Sequence, residues 1–267
     1  MSPGRPIALL AACMTLATST LSAQTIATYA PGSHRYHLMS VFSRDQEQDG
    51  QHSKSQITNQ QILSVILAAH AKDTLDFSYT MDSSEVSANP PIPLPDVSGM
   101  KGTQVRGAMS RSGKIYRSNS TADENDPDMQ TLVEGMRRFL VTLPPGASVG
   151  NKWVDTVRNS TERNGSHLDV KTITTSTILG DTTYEGQHAW RVHRAADLSI
   201  AGTQSALGQD LTVEGHGTGD GVYYISGDGV YIGSTATQTM LLEVTQVATG
   251  KTIPVTQVVT SKVELMP

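Results

Sequence analysis

Ser148 lies in Gly-Ala-Ser-Val-Gly, residues 146–150, the Gly-x-Ser-x-Gly spacing by which hydrolases raise a nucleophilic serine on a tight strand-to-helix turn. Here the residues before Ser148 read as a helix and those after it as a strand, the reverse order, so the serine has no elbow to stand on. Ser98 and Lys101, in Ser-Gly-Met-Lys, have the spacing of a lysine-assisted acyl-enzyme serine, but they fall in a proline-rich stretch and no Lys-Thr-Gly partner occurs. His34 and His37 are three apart, and His188 and His193 five apart; on strands each spacing sends the two rings to opposite faces. No His-Glu-x-x-His occurs either, so no metal site is expected. The acidic run 123–128 lacks the glycine and the terminal glutamate of an EF-hand loop, and helix initiation accounts for it. No catalytic residue and no cofactor emerge, and the expectation is a protein that is not an enzyme.

The most unusual stretch is Val-Glu-Gly-His-Gly-Thr-Gly-Asp-Gly-Val-Tyr-Tyr-Ile-Ser, residues 213–226. A dinucleotide loop would lead from its glycines into a helix, whereas a strand-like sequence follows; a calcium-binding nonapeptide repeat needs another register. As an extended segment, period two places Leu211, Val213, Gly215, Gly217, Gly219, Gly221, Tyr223 and Ile225 on one face. That apolar face then has a gap of four side chains. Glycine in a strand marks a bend or a close approach, so either the strand curves sharply there or another body, the helix near 127–143 or an apolar ligand, is expected against Gly217 and Gly219.

The elements that must position these residues are strands. Serine, threonine, valine and glycine abound, and apolar residues alternate. Turn signals divide the run: Ser112-Gly113, Asn164-Gly165, Asp228-Gly229 and Ala-Thr-Gly-Lys at 248–251 each sit between two alternating arms. The last arm sets Ile253, Val255, Val259, Val263 and Leu265 on one face. Asn59–Lys72 fits a buried strand or an amphipathic helix, and the strand is preferred because another alternating run follows a short turn. One helix is expected, at about 127–142, with Asp126 as N-cap and Pro144-Pro145 as its stop. A proline-rich loop is expected at about 87–100. The absence of alternating strands and long helices excludes a doubly wound sheet.

Residues 1–23 carry one positive charge, a short apolar run and a small-residue ending at Ala23, the layout of a secretory signal peptide. Cleavage after Ala23 is expected; the alternative is lipidation at Cys13, the single cysteine, after Leu-Ala-Ala. Either way the chain is exported, to the periplasm or beyond, as a single domain over 24–267. No transmembrane span is expected in the mature chain, and disulfides and thiolate metal sites are excluded. The net charge of −5, with both signs interspersed, excludes a nucleic-acid footprint.

Val-Gly-Asn-Lys-Trp at 149–153, the run Tyr184–Val192 and the glycine row resemble uncharacterised exported bacterial proteins similar to the half-barrels of the periplasmic lipoprotein-carrier group. The resemblance covers about 143–267 and is carried by Gly150, Trp153, Tyr184, Gly186, Trp190 and the glycines. It implies a single large curved antiparallel sheet, half-barrel-like, with a helix or loop on its concave side and no enzymatic residue. Trp153, Trp190, Phe77 and Tyr79 would then line a cavity with Gly217 and Gly219, or else anchor the core. The function expected is binding of an apolar or lipid-like ligand or of a cell-envelope protein. The alternatives are an interaction protein without a small ligand and, last, an exported hydrolase.

Overall fold

The structure is a computed structural model that describes residues 28–267 apart from 49, 92–93, 95–96, 123–126, 164–165 and 207–208. The expected signal peptide, Cys13 and the Asp126 cap lie outside the described residues. Eleven strands form one antiparallel sheet: β1 Gly32–Gln48, β2 Gln51–Ala71, β3 Thr74–Asn89, β4 Gln104–Ser110, β5 Ile115–Ser120, β6 Lys152–Arg163, β7 Ser166–Tyr184, β8 Gln187–Ala206, β9 Gln209–Ser226, β10 Tyr231–Gln246 and β11 Thr252–Leu265. Their spatial order is β5-β4-β3-β2-β1-β11-β10-β9-β8-β7-β6. Two meanders therefore join through β1 and β11, the first and last strands of the chain, and the sheet is not closed into a barrel.

The turn chemistry accounts for most of this. Ser112-Gly113 and Asp228-Gly229 fall between paired strands, with Gly113 and Gly229 at the positive φ that such turns require. β6 and β7 close at the pair Arg163↔Ser166, and Asn164-Gly165 between them lie outside the described residues. At the β7–β8 turn, Glu185 and Gly186 both have positive φ, as a two-residue type I′ hairpin needs. Residues 59–72 belong to β2 for most of their length, a strand of 21 residues. β3 extends to Asn89, so the proline-rich connection begins at Pro90, later than the sequence suggests, and contains a short 3₁₀ turn at Ser98–Met100.

The helix α1, Pro127–Arg137, is shorter than expected. Residues 139–143 leave the helical path because they have better partners: the Leu143 amide donates to the Ser112 carbonyl, and the Tyr29 hydroxyl donates to the Val141 carbonyl at 3.0 Å. This segment, α1 plus an extended strap to Asn151, connects the edge strands β5 and β6 across one face of the sheet. Gly150 donates to Ile178 and Ile178 to Asn151, tying the far end of the strap to β7.

The main core lies under the strap. Val133, Met136, Phe139, Leu140, Val141, Leu143 and Ala147 pack on Leu63, Val65, Phe77, Tyr79, Val105, Met109, Ile178, Trp190, Val192 and Ile225. All these strand residues belong to one half of the sheet's length. At the centre, Phe139 meets Tyr36, Tyr79 and Tyr231 edge-on, with ring centroids 4.9, 6.2 and 5.2 Å apart. Tyr36 donates to the Tyr231 carbonyl at 2.9 Å and Tyr231 to Ser234 at 2.7 Å.

Burial pushes the phenols of Tyr29, Tyr36, Tyr79 and Tyr231 well above the usual tyrosine range. Above about pH 10 the unfolded chain releases protons that the folded chain retains, so stability is whole below that pH and falls as pH rises. In an alkaline titration followed at the phenolate absorption, four of the eight tyrosines are expected to ionise only together with unfolding seen by circular dichroism. Ionisation of all eight while the fold persists would contradict this packing.

Candidate binding trough on the inner face

Registers define a series of residue rows running across the sheet. Just beyond the core, Asn59, Ser40, Ser261, Ala236, Gly221, Arg194 and Ser176 stand side by side on the inner face across seven strands. This row is small and polar. The next rows turn mainly apolar on β7 to β11: Leu198 beside Gly217 and Met240, Ile200 beside Gly215 and Leu242, Val213 beside Val244, with Val170, Val255 and Ile253 flanking and Thr172, Thr174, Gln238 and Gln257 as the polar members. The glycine row thus lies on the core-facing side, as period two requires.

No described element outside the sheet packs broadly on this half, since α1 and the strap cover the other. Its inner side chains are nevertheless sheltered: Val255 is 2% exposed, Val213 6% and Met240 7%, while Leu241 on the outer face is 49% exposed. Unequal exposure of two uncovered faces means the sheet curves toward the inner one, forming an open trough. Of the outcomes the sequence leaves open, a sharp bend or a helix or ligand against the glycines, the described residues place neither helix nor strap there, and neighbouring strands supply the contact. A Cβ at Gly215 would stand 2.4 Å from Leu242 Cδ2 and 3.2 Å from Ile200 Cγ2; one at Gly217 would stand 2.2 Å from the Thr239 carbonyl and 2.4 Å from Met240 Sδ. Side chains of β8 and β10 lean over the bare backbone, which tightens the bend.

The six residues singled out from sequence separate into two places. Phe77, Tyr79 and Trp190 are buried in the main core and Trp153 packs at its margin, so these four are anchors beneath the strap. Gly217 and Gly219 form the floor of the trough. The signal missed in the sequence is Arg194: in Trp-Arg-Val-His-Arg-Ala-Ala-Asp-Leu-Ser-Ile it has the parity of Trp190, Val192, Ala196, Leu198 and Ile200, a lone cation in an apolar register. Its guanidinium lies 5.1 Å from the centroid of the Tyr223 ring.

The other chemically suggestive residues are dispersed. Ser148 Oγ donates to Asn151 Oδ1 at 3.2 Å inside the strap's final turn. His193 meets Asp220 at 2.6 Å and His188 meets Asp181 at 3.5 Å. His34, on the inner face at the core end, has its pKa lowered by burial. Among the described residues no three of His, Cys, Asp and Glu gather as a metal would require. The outer face has a hollow of about 570 Å³ beside the edge strand β5, lined by Arg106, Arg117, Asn119, Asp76 and the exposed Ile66. It also has a smaller one of about 380 Å³ opposite the glycine row, with Met39, Asp220 and Lys262 on its walls.

No known family profile and no curated protein matches this chain. One solved structure aligned with it is an outer membrane channel from Pseudomonas putida F1, with 9% identity over 90% of this chain and 98% of that one. Its TM-score is 0.19, too low to carry an argument about either fold or function.

The glycines differ in what they tolerate. Gly217→Ala sets a methyl group against a backbone carbonyl and is expected to destabilise by about 1–3 kcal/mol. At Gly219 the added Cβ makes ordinary contact, 3.4 Å from Ala196 Cβ, so Gly219→Ala is expected within about 1 kcal/mol of the parent, on the stabilising side. His216→Ala, on the exposed outer face, is expected to change stability by less than about 0.5 kcal/mol. Chemical denaturation of the three variants checks the order; equal losses at 217 and 219 would refute this account of the bend.

Proposed function

We propose that this protein is an exported, non-enzymatic binder of an apolar, chain-like ligand, seated in the open trough of the inner face. The observation that supports the reading is the division of that face: one half is filled by α1 and the strap, and the other is curved, bare among the described residues and mainly apolar on β8 to β11. Apolar concave surface with a few polar groups at one end is the ordinary form of a ligand site. A floor of glycine backbone between walls of leucine, isoleucine, valine and methionine suits a flexible chain without demanding one shape. The leader-like residues 1–23 support a setting for such an activity in the cell envelope.

The test is native mass spectrometry of the mature chain purified from the periplasm, followed by solvent extraction and lipid analysis. A stoichiometric apolar passenger is expected, and Gly219→Leu, which adds a side chain to the floor where the Cβ has room, is expected to lose it with little change in melting temperature. A clean mass that remains clean after incubation with membrane lipids would overturn the reading in favour of a protein partner.

A further inference from the structure

Arg194 stands at the core end of the apolar rows of β8 and β9; Gln238 and Gln257 interrupt those rows on β10 and β11, and the inner face's next cation toward β1, Arg44, lies in the Gly217 row three strands from that glycine. A cation so placed specifies a ligand more narrowly than apolarity does. Arg194 stands on the inner face between the core and the apolar rows, beside Ser176, which is 2% exposed. Its Nε is shielded from solvent and has no hydrogen-bond partner among the described residues, while its guanidinium lies over the face of Tyr223 and its charge acts on the buried Tyr29. A shielded N–H without an acceptor is costly to keep, and Arg194 itself is only partly buried, so the rest of its guanidinium can be reached from the trough. Asp155 lies one row along and two strands away, exposed on the edge strand β6.

From the row of Arg194 to the row of Val213 is eight residues, about 27 Å of strand. That exceeds the half-thickness of a bilayer's hydrocarbon core, about 15 Å, so one acyl chain fits along it. We infer that Arg194 is the anchor for the anionic head group, carboxylate or phosphate, of a single-chain amphiphile whose tail lies over Gly219, Gly217 and Gly215. The guanidinium fork matches either head in two parallel hydrogen bonds, and the Tyr223 ring behind it limits its freedom. The inference rests on the trough reading and adds the chemistry of the head.

The test uses four ligands with one tail: laurate, dodecyl phosphate, dodecanol and dodecyltrimethylammonium, each titrated against the delipidated mature chain by calorimetry. Laurate and dodecyl phosphate are expected to bind at least tenfold more tightly than dodecanol, with the ammonium weakest. Which anion binds better tells a free fatty acid from a lipid phosphate. Arg194→Gln is expected to reduce the anion-to-alcohol ratio to near one without weakening dodecanol, and Arg194→Lys to retain part of it; the lysine variant carries the test should the glutamine variant fail to fold. Equal binding of all four ligands, or a ratio unchanged in the folded Arg194 variants, would overturn the head-group assignment while leaving the trough intact. If none of the four binds, the trough reading itself falls.

Discussion

The sheet has two free edges, and the chain between them must cross its face. β5 and β6 are consecutive in sequence yet lie at opposite ends of the strand order, so the connection between them crosses the full width of the inner face over one half of the strands' length. That connection supplies most of the second layer, joined by Tyr29 and Met100, and it buries the large side chains of the packed half. Its buried residues run from Val133 to Ala147, enough to cover one half of strands that reach 21 residues and too few to cover both. Each large side chain so buried contributes about 1.5–3 kcal/mol. The packed half and the bare half follow from the length of one connection.

The polarity of the two faces follows in turn. On the bare half the inner face carries Leu198, Ile200, Val213, Leu242 and Val255, whereas the outer face of the same strands carries Asp197, Glu214, His216, Glu243 and Thr256. A membrane-spanning barrel has the opposite arrangement, with its apolar band directed outward and its lumen polar. Here curvature shelters the apolar side and presents charge to the surroundings, including pairs such as Lys54–Asp45 at 3.1 Å and Arg35–Asp82 at 3.1 Å.

Local chemistry was legible in the sequence and long-range pairing was not. Ser112-Gly113, Asp228-Gly229 and the alternation of β11 announced their hairpins because turn geometry and side-chain parity are properties of a few adjacent residues. The face of the glycine row was likewise fixed by period two. Parity says which side a residue faces but not what stands beside it, so the pairing of β1 with β11 and the transverse polar row from Asn59 to Ser176 had no local signature. The same limit explains α1: the apolar spacing through Leu143 is helical, but tertiary partners at Ser112 and Tyr29 draw residues 139–143 into an extended path. It also explains the six site residues, since aromatic parity alone does not distinguish a core under a strap from the wall of an open trough.

The glycine row shows how the fold's needs and a site's needs separate. Glycine in a strand costs about 0.5–1 kcal/mol relative to alanine, so each one requires a reason. At Gly215 and Gly217 the reason is steric, for a Cβ would stand 2.6 and 2.2 Å from carbonyl oxygens of β10, and at Gly221 it would stand 2.8 Å from Ala236 Cβ. At Gly219 the nearest atom is 3.4 Å away and the folded chain has room for a side chain. Packing therefore accounts for three of the four. The fourth lies in the first row beyond Arg194, where a side chain would stand between a cation and the apolar rows behind it. Depth at that point does nothing for the sheet, so Gly219 is the one glycine of the row that packing leaves without a reason.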